Sequence, residues 1–396
     1  MSMDRPTVRL RPGKGARLRA GAPWVFADEV VMDRRTRKIP PGTLVRLTDE
    51  ERQPLGLAAF NAESRIALRL IDPDSEAVID RAWFARRLDR ALALRRTLFD
   101  APPFRLVHAE ADGLPGVIVD HFGPAAVVQP NAAWADRLAT ELAEAVAAVT
   151  GAASVVIGGQ GRSRGLEGLP PRLEVIGAPL PGPLPVRMNG ATYLADLTGG
   201  QKTGLFLDQR PNHAFAARLG RGRRMLDLFS HVGGFALAAL VAGAESALAV
   251  DGSEPALALA REGARLSGVA DRLETRRADA FDALRALAAE GAGFGLVVAD
   301  PPAFAPSRDA LQAGLRAYRK LARLAAPLVA PDGFLVLCSC SHAVDPAAFR
   351  AASLRGITEA GRTAQILHCG EAGPDHPVHP ALAETSYLKA LFLRLA

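Results

Sequence analysis

Two strand ends in this chain carry side chains able to do covalent chemistry. Gly333-Phe334-Leu335-Val336-Leu337-Cys338 reads as a buried strand that runs out into Ser339-Cys340-Ser341-His342. Phe294-Gly295-Leu296-Val297-Val298-Ala299 reads as a second, running into Asp300-Pro301-Pro302-Ala303-Phe304. Open α/β sheets bind ligands at the carboxyl ends of their strands, so Cys340 and Asp300 are expected beside each other over one crevice. Pro301 and Pro302 stiffen the turn that presents Asp300. A thiolate next to a carboxyl group is the pair that alkylation at C5 of a pyrimidine requires. The thiolate adds at C6 and makes C5 nucleophilic, while the carboxyl group absorbs the charge that develops at N3. A cysteine at a strand end is more often plain packing, and Cys338, inside its strand, reads that way. His342 reads as loop, and Cys369 has no catalytic context.

A cofactor turn lies upstream. Asp227-Leu228-Phe229-Ser230-His231-Val232-Gly233-Gly234-Phe235 leaves one strand and opens a helix, and Asp251 ends the next strand. Glycines let the backbone approach a ligand, a helix N-terminus offers unused N–H groups, and an acid at the second strand end can accept from ribose hydroxyls. The candidate contacts to an adenosine-containing cofactor are Asp227, Ser230, Gly233, Gly234 and Asp251, with Pro301 of the Asp300 turn beside them. The dinucleotide spacing G-x-G-x-x-G is absent. An acidic Asp227 just before the turn suits a cofactor with a cationic amino-acid end rather than a pyrophosphate, which favours S-adenosylmethionine. Asp279 follows a third short strand. It can contact an adenine amino group or cap the helix after it, and both readings stand.

The elements that must position these residues alternate strand and helix from about Leu205 onward, the pattern of a doubly wound, mostly parallel Rossmann-like sheet. The helices are expected at Phe235–Ala242, Pro255–Ser267 and Gly314–Val329. Residues 1–75 read as short strands around Pro12-Gly13 and Pro41-Gly42, a small β-barrel. Residues 76–190 read as a central α+β domain, with helices near 81–99 and 134–149. Residues 191–396 are left for the Rossmann-like domain. The fold class is thus α/β, with a barrel and an α+β domain ahead of the doubly wound sheet.

The 396 residues carry a net charge of +6 and three cysteines, too few for a disulfide framework, and no spacing fits a metal site. No apolar run is long enough to span a bilayer and the N-terminus lacks the apolar stretch of a secretory leader, so a cytoplasmic protein with no membrane partner is expected. The cations Arg9, Arg11, Lys14, Arg17 and Arg19 cluster in the first segment, as do Arg34, Arg35, Arg37 and Lys38. They form either a solvated face or a contact surface for a polyanion.

These motifs resemble the bacterial 23S rRNA cytosine-C5 methyltransferases that carry an N-terminal PUA domain. The resemblance runs over nearly the whole chain. Val8 to Ile71 is similar to the PUA barrel, with Asn61-Ala62-Glu63-Ser64-Arg65-Ile66 at its end. Arg105 to Gly116 is similar to the central hairpin, and Asp375-His376-Pro377-Val378 and Tyr387-Leu388-Lys389 also fit. The most specific stretch is Lys202-Thr203-Gly204-Leu205-Phe206-Leu207-Asp208-Gln209-Arg210, followed by Asn212. The resemblance implies Gln209 as a cofactor contact, Phe229, Asp251, Asp279 and Asp300 as cofactor-pocket positions, and Cys340 in Ser-Cys-Ser as the nucleophile. It implies S-adenosylmethionine as cofactor, 23S rRNA or a large-subunit precursor as partner, and leaves a homodimer as an assembly to consider. Ala303 and Ser267 depart from the family's frequent Lys and Asn. The alternatives are a methyltransferase of uracil C5 or of a purine, and a non-catalytic RNA-binding assembly factor.

Overall fold

The computed structural model describes residues 5–159, 162–199 and 204–396; Lys202 and Thr203 of the most specific motif lie outside the described residues. The chain divides into two compact units. The first holds residues up to Gly182 with 196–204 and 374–385, and the second holds 183–195, 205–373 and 386–396.

In the first unit, the five strands Thr7–Arg9, Trp24–Val25, Thr43–Thr48, Pro54–Phe60 and Leu68–Asp72 form one sheet. An isolated bridge pairs Leu10, the residue after Thr7–Arg9, with Val30, and the sheet covers a core of Val8, Val25, Val45, Phe60 and Leu68. A second five-stranded sheet carries Phe104–His108, Val117–His121, Ala125–Pro130, Ser154–Gly159 and Arg172–Gly177, covered by the helices Arg81–Leu98 and Ala139–Thr150. The helix expected at 134–149 is two helices, Ala133–Arg137 and Ala139–Thr150, because Leu138 leaves helical geometry (φ −111°, ψ 23°).

Several of the family-like motifs prove to be internal ties of this unit. Asn61, Ser64 and Arg69 all converge on the buried carboxylate of Glu167. Asp375, fully buried, accepts from the Arg105 backbone N–H at 2.9 Å, and its carbonyl accepts from the Arg95 guanidinium. Buried charges must be paired in this way.

The second unit is the doubly wound domain. It opens with a hairpin, β1 (Leu184–Met188) and β2 (Ala191–Ala195). The expected domain junction at 190/191 falls in the turn of that hairpin, which belongs entirely to this unit: Ser267 accepts from the Thr192 N–H and the Tyr193 hydroxyl donates to the Gly234 carbonyl. The main sheet then follows, with β3 (Arg224–Leu228), β4 (Ser246–Asp251), β5 (Leu273–Arg277), β6 (Phe294–Ala299), β7 (Val329–Ser339), β8 (Ala364–Gly370) and β9 (Lys389–Leu395).

Its order is β5-β4-β3-β6-β7-β9-β8 among the described residues. The first five strands are parallel, and β9 pairs antiparallel with both β7 and β8. The helices are α1 (Arg210–Gly220), α2 (Gly234–Val241), α3 (Glu254–Leu266), α4 (Ala280–Ala289), α5 (Leu311–Ala325) and α6 (Pro346–Glu359). The helix expected at Gly314–Val329 starts earlier and stops at Ala325, because Val329 is already the first residue of β7. Alternation along β6 explains the layers: Val297 packs with α4, α5 and α6, whereas Leu296 lies against Gly220 of α1. No described helix is long and apolar enough to cross a membrane.

Candidate active site

Strand β3 delivers the chain to the cofactor turn. Phe229 (φ 60°) and His231 (φ 51°) are left-handed although neither is glycine, a cost of about 1–2 kcal/mol each. The neighbouring strand holds them there. The Ser230 N–H donates to the Val250 carbonyl at 3.1 Å, and the His231 N–H donates to Asp251 Oδ2 at 2.8 Å. Gly233 (φ 81°) makes the bend into α2. At Gly234 a Cβ would lie 2.8 Å from His213 Cε1, so the missing side chain makes room for the imidazole of α1.

The second oxygen of Asp251 accepts from the Ser253 N–H at 2.8 Å, so two backbone donors fix this half-buried carboxylate. Each of its oxygens retains a lone pair for a ribose hydroxyl. Asp279 is exposed and caps α4, its Oδ1 accepting from the Phe281 and Asp282 N–H groups. The capping role is therefore realised on one oxygen; Oδ2 takes no part in it.

Asp227 is buried. Its Oδ2 accepts from the Ala236 N–H at 2.9 Å, while Oδ1 has no partner among the described residues. Burial pushes its carboxyl group up to about 8, against the Ala236 hydrogen bond and with help from the nearby Asp300 and Asp251 carboxylates. Ser230 Oγ is likewise buried and unpartnered. Two orphaned polar atoms, Asp227 Oδ1 and Ser230 Oγ, beside an oriented carboxylate and a strained turn fit a ligand with a cationic amino group and a ribose.

The opposite wall is built from α1, β6 and β7. Gln209 is buried at the start of α1, and its Nε2 donates to Asp300 Oδ2 at 2.9 Å. Its Oε1 accepts from Asn212 at 2.7 Å, and Asn212 also donates to the Glu371 carbonyl. A carbonyl can only accept, so the amide polarity is set from Glu371 through Asn212 to Gln209. Asp300 Oδ2 is thereby committed as an acceptor. The Gln209 side chain, expected at the cofactor, is found bonded to the acid; this second role was not legible in the sequence.

Asp300 and Cys340 follow adjacent parallel strands, with Ala299 paired to Leu337, so Asp300 stands level with Cys338 and Cys340 lies two residues further along the same edge. Cys340 is half-buried, Cys338 buried and Cys369 exposed. Burial and then the Asp300 carboxylate push the Cys338 thiol well up, which keeps it an inert thiol.

The serines that flank Cys340 have a positioning job. Ser339 donates to the Tyr318 hydroxyl at 2.9 Å, that hydroxyl lies 2.8 Å from Ser341 Oγ, and Ser341 Oγ accepts from the Ala305 N–H. Ser339 and Ser341 thus face α5, and by alternation Cys340 faces away from it. Phe304 is enclosed by Phe229, Phe281 and Tyr318, with ring centroids 4.9–6.5 Å apart, so it is a packing residue rather than a platform for a base. His342 is exposed and lies 5.2 Å from the Tyr387 ring. Pro301 is buried under the turn.

In the other unit, Arg9, Arg11, Lys14, Arg17 and Arg19 are all exposed. Arg11 donates to the Val30 carbonyl and Arg17 lies over the Phe26 ring. Among the described residues no cluster of three His, Cys, Asp or Glu side chains is placed to hold a metal ion.

A doubly wound sheet with a strained Gly turn after its first strand and an oriented acid after its second defines a Rossmann-like, nucleoside-cofactor enzyme domain. Residues 173–394 match the family described as S-adenosylmethionine-dependent methyltransferase, and residues 8–73 match a PUA-like domain. Over 98% of its length the chain is 33% identical to a protein of Shewanella denitrificans named ribosomal RNA large subunit methyltransferase I, of which it covers 99%. It is 35% identical to the protein of that name from Shewanella amazonensis, again over 98% of this chain and 99% of the other. A solved SAM-dependent methyltransferase from Streptococcus mutans shares the fold, with a TM-score of 0.82 at 18% identity, over 98% of this chain and all of that one. The chain belongs to the S-adenosylmethionine-dependent methyltransferase family, among the relatives of ribosomal RNA large subunit methyltransferase I.

Proposed function

We propose that the chain methylates C5 of a cytosine in 23S ribosomal RNA through a covalent adduct of Cys340. The observation that carries this is the pairing of Asp300 and Cys340 on neighbouring strand ends, with the serines on either side of Cys340 anchored away from the crevice. Asp227, Ser230, Asp251 and the Phe229–Gly233 turn hold S-adenosylmethionine, with Asp279 and Pro301 at its rim. When bound, that cofactor supplies the electrophilic methyl group that C5 takes.

The residues do the rest. The Cys340 thiolate forms a bond to C6 as the C5–C6 π pair moves toward N3. Asp300, oriented by the Gln209 amide that donates to its Oδ2, takes up a proton as the base binds and delivers it to N3. After methylation N3 returns that proton to Asp300, a water molecule takes the C5 proton as its bond pair re-forms the C5–C6 double bond, and the S–C6 bond breaks to release the thiolate. A proton-donating acid suits cytosine, whose N3 carries no hydrogen; uracil already has one there. The enclosure of Phe304 counts against adenine, and the intact acid–thiol pair against a vestigial fold.

Residues 1–75 and the central domain to residue 190 would grip the RNA, with Arg9, Arg11, Lys14, Arg17 and Arg19 on phosphates, and the target base splayed out to reach the C-terminal domain. A ribosomal substrate places the protein in the cytoplasm. The test is incubation with rRNA bearing 5-fluorocytosine, whose C5 cannot release a proton. A Cys340-linked RNA adduct on denaturing gels, absent in Cys340→Ala, supports the reading. Full turnover by Cys340→Ala overturns it.

A further inference from the structure

Helix α5 joins β6 to β7, so it connects the strand that runs out at Asp300 with the strand that runs out at Cys340. Because those strands are parallel, the helix starts at their carboxyl edge and runs back along the sheet. Two contacts fix that start. Gly314 packs against Ala305 and the Phe304 carbonyl, where a Cβ would lie 2.6 and 3.0 Å away, and the Tyr318 hydroxyl meets Ser339 and Ser341. The opposite face is exposed and cationic. Arg316, Lys320 and Arg323 follow at i, i+4 and i+7 in one stripe about 10 Å long, and Arg308 stands exposed in the loop ahead of it. From Pro301 to Pro331 the chain carries five cations, these four and Arg319, against the single acid Asp309. Arg319 is neutralised by Glu359 of α6. Among the described residues Arg308, Arg316, Lys320 and Arg323 have no ion-pair partner; Lys320 lies over the Phe281 ring at 4.9 Å.

Like charges three and four residues apart on a helix repel, so the stripe works against the helix that carries it. The neighbouring helices avoid this. On α3, Arg261 pairs with Glu254 and Arg265 with Glu262; on α4, Arg285 pairs with Asp282. An uncompensated row of cations holds counterions that phosphates can displace. We propose that Arg308, Arg316, Lys320 and Arg323 form a phosphate-contact surface on the catalytic domain itself, binding the backbone of the substrate RNA outside the crevice. The row leads away from the strand edge, so it takes nucleotides beyond the target base and leaves the base itself to the crevice. The guanidinium forks meet phosphate oxygens in pairs, and the Lys320 ammonium adds a point charge. The surface rests on the reading of ribosomal RNA as substrate and does not depend on the covalent role of Cys340.

The test is filter binding of transcribed 23S rRNA across a salt series. Arg316→Gln, Lys320→Gln and Arg323→Gln together should weaken binding about tenfold or more and flatten the slope of log K against log salt by about two, at about 0.7 for each lost contact to a single strand. Arg261→Gln, Arg265→Gln and Arg285→Gln remove as much positive charge from α3 and α4 and should leave the slope at the parent value. Arg316→Lys with Arg323→Lys keeps both charges and should leave it there too. S-adenosylmethionine affinity by calorimetry should be the same throughout. In the parent protein, 23S rRNA should protect Lys320 from acetylation by an N-hydroxysuccinimide ester, read by mass spectrometry; this arm needs no variant to fold. Equal acetylation of Lys320 with and without bound rRNA overturns the proposal, as does an α5 triple variant that binds like the α3–α4 control. If the parent binds no rRNA, the substrate reading falls and this surface with it. If Cys340→Ala retains turnover while Lys320 is protected, the covalent route alone fails.

Discussion

Replacing Asp227 by asparagine should make the protein more stable near neutral pH and a worse cofactor binder. The carboxyl group is buried, keeps one backbone donor, and titrates near 8 instead of 3.8, chiefly because burial disfavours its ionised form. Between those two values the unfolded chain has lost the proton and the folded chain still binds it. The unfolded state then holds fewer protons, so stability falls as pH rises through this window; the contribution is whole only below about 4. The fall is about 1.4 kcal/mol per pH unit, or about 2.7 kcal/mol from pH 5 to pH 7. Asparagine has the same shape, can accept from the Ala236 N–H, and does not titrate. Denaturant unfolding followed by circular dichroism should show the variant gaining about that amount on the parent between the two pH values, all other titrations cancelling in the difference. Calorimetric titration should show S-adenosylmethionine affinity at pH 7 weakened about tenfold or more, because only the acid can give up its proton and meet the cofactor's ammonium group as a carboxylate. Parallel stability profiles for the two proteins from pH 5 to pH 7 would refute the neutral buried acid.

Gln209→Leu should lower kcat by about tenfold or more, with a smaller change in S-adenosylmethionine affinity, because it removes an amide donor that orients the Asp300 carboxyl group; steady-state kinetics with both substrates separates the two effects. Replacing Arg9, Arg11 and Arg17 together by Glu should weaken RNA binding and reduce the slope of log K against log salt by about one for each phosphate that is no longer neutralised, leaving cofactor affinity unchanged; filter binding across a salt series reads it.

Much of this site is legible in the linear sequence because chemistry in an open α/β sheet concentrates at strand ends, and strand ends can be found from apolar runs followed by Gly, Pro or Asp. That reasoning locates Asp227, the Gly233-Gly234 turn, Asp251, Asp300 and Cys340. It also misreads some elements. The break at Leu138, the early end of α5, and the hairpin's place in the second unit depend on packing rather than propensity. The antiparallel strands β8 and β9 escape it altogether. β8 is largely exposed, and β9 is buried along almost its whole length, so neither shows a clear alternation.

What the sequence determined by itself is therefore the strand-helix alternation from β3 to β7, the identity of the candidate side chains, and the turn chemistry that exposes them, since each is encoded within a few consecutive residues. What only the tertiary structure decided is the state of those side chains. The polarity running from Glu371 through Asn212 and Gln209 to Asp300 and the anchoring of Ser339 and Ser341 on Tyr318 join residues far apart in the chain. Proton position and thiol ionisation depend on distance and burial in three dimensions, and no local pattern of residues carries either.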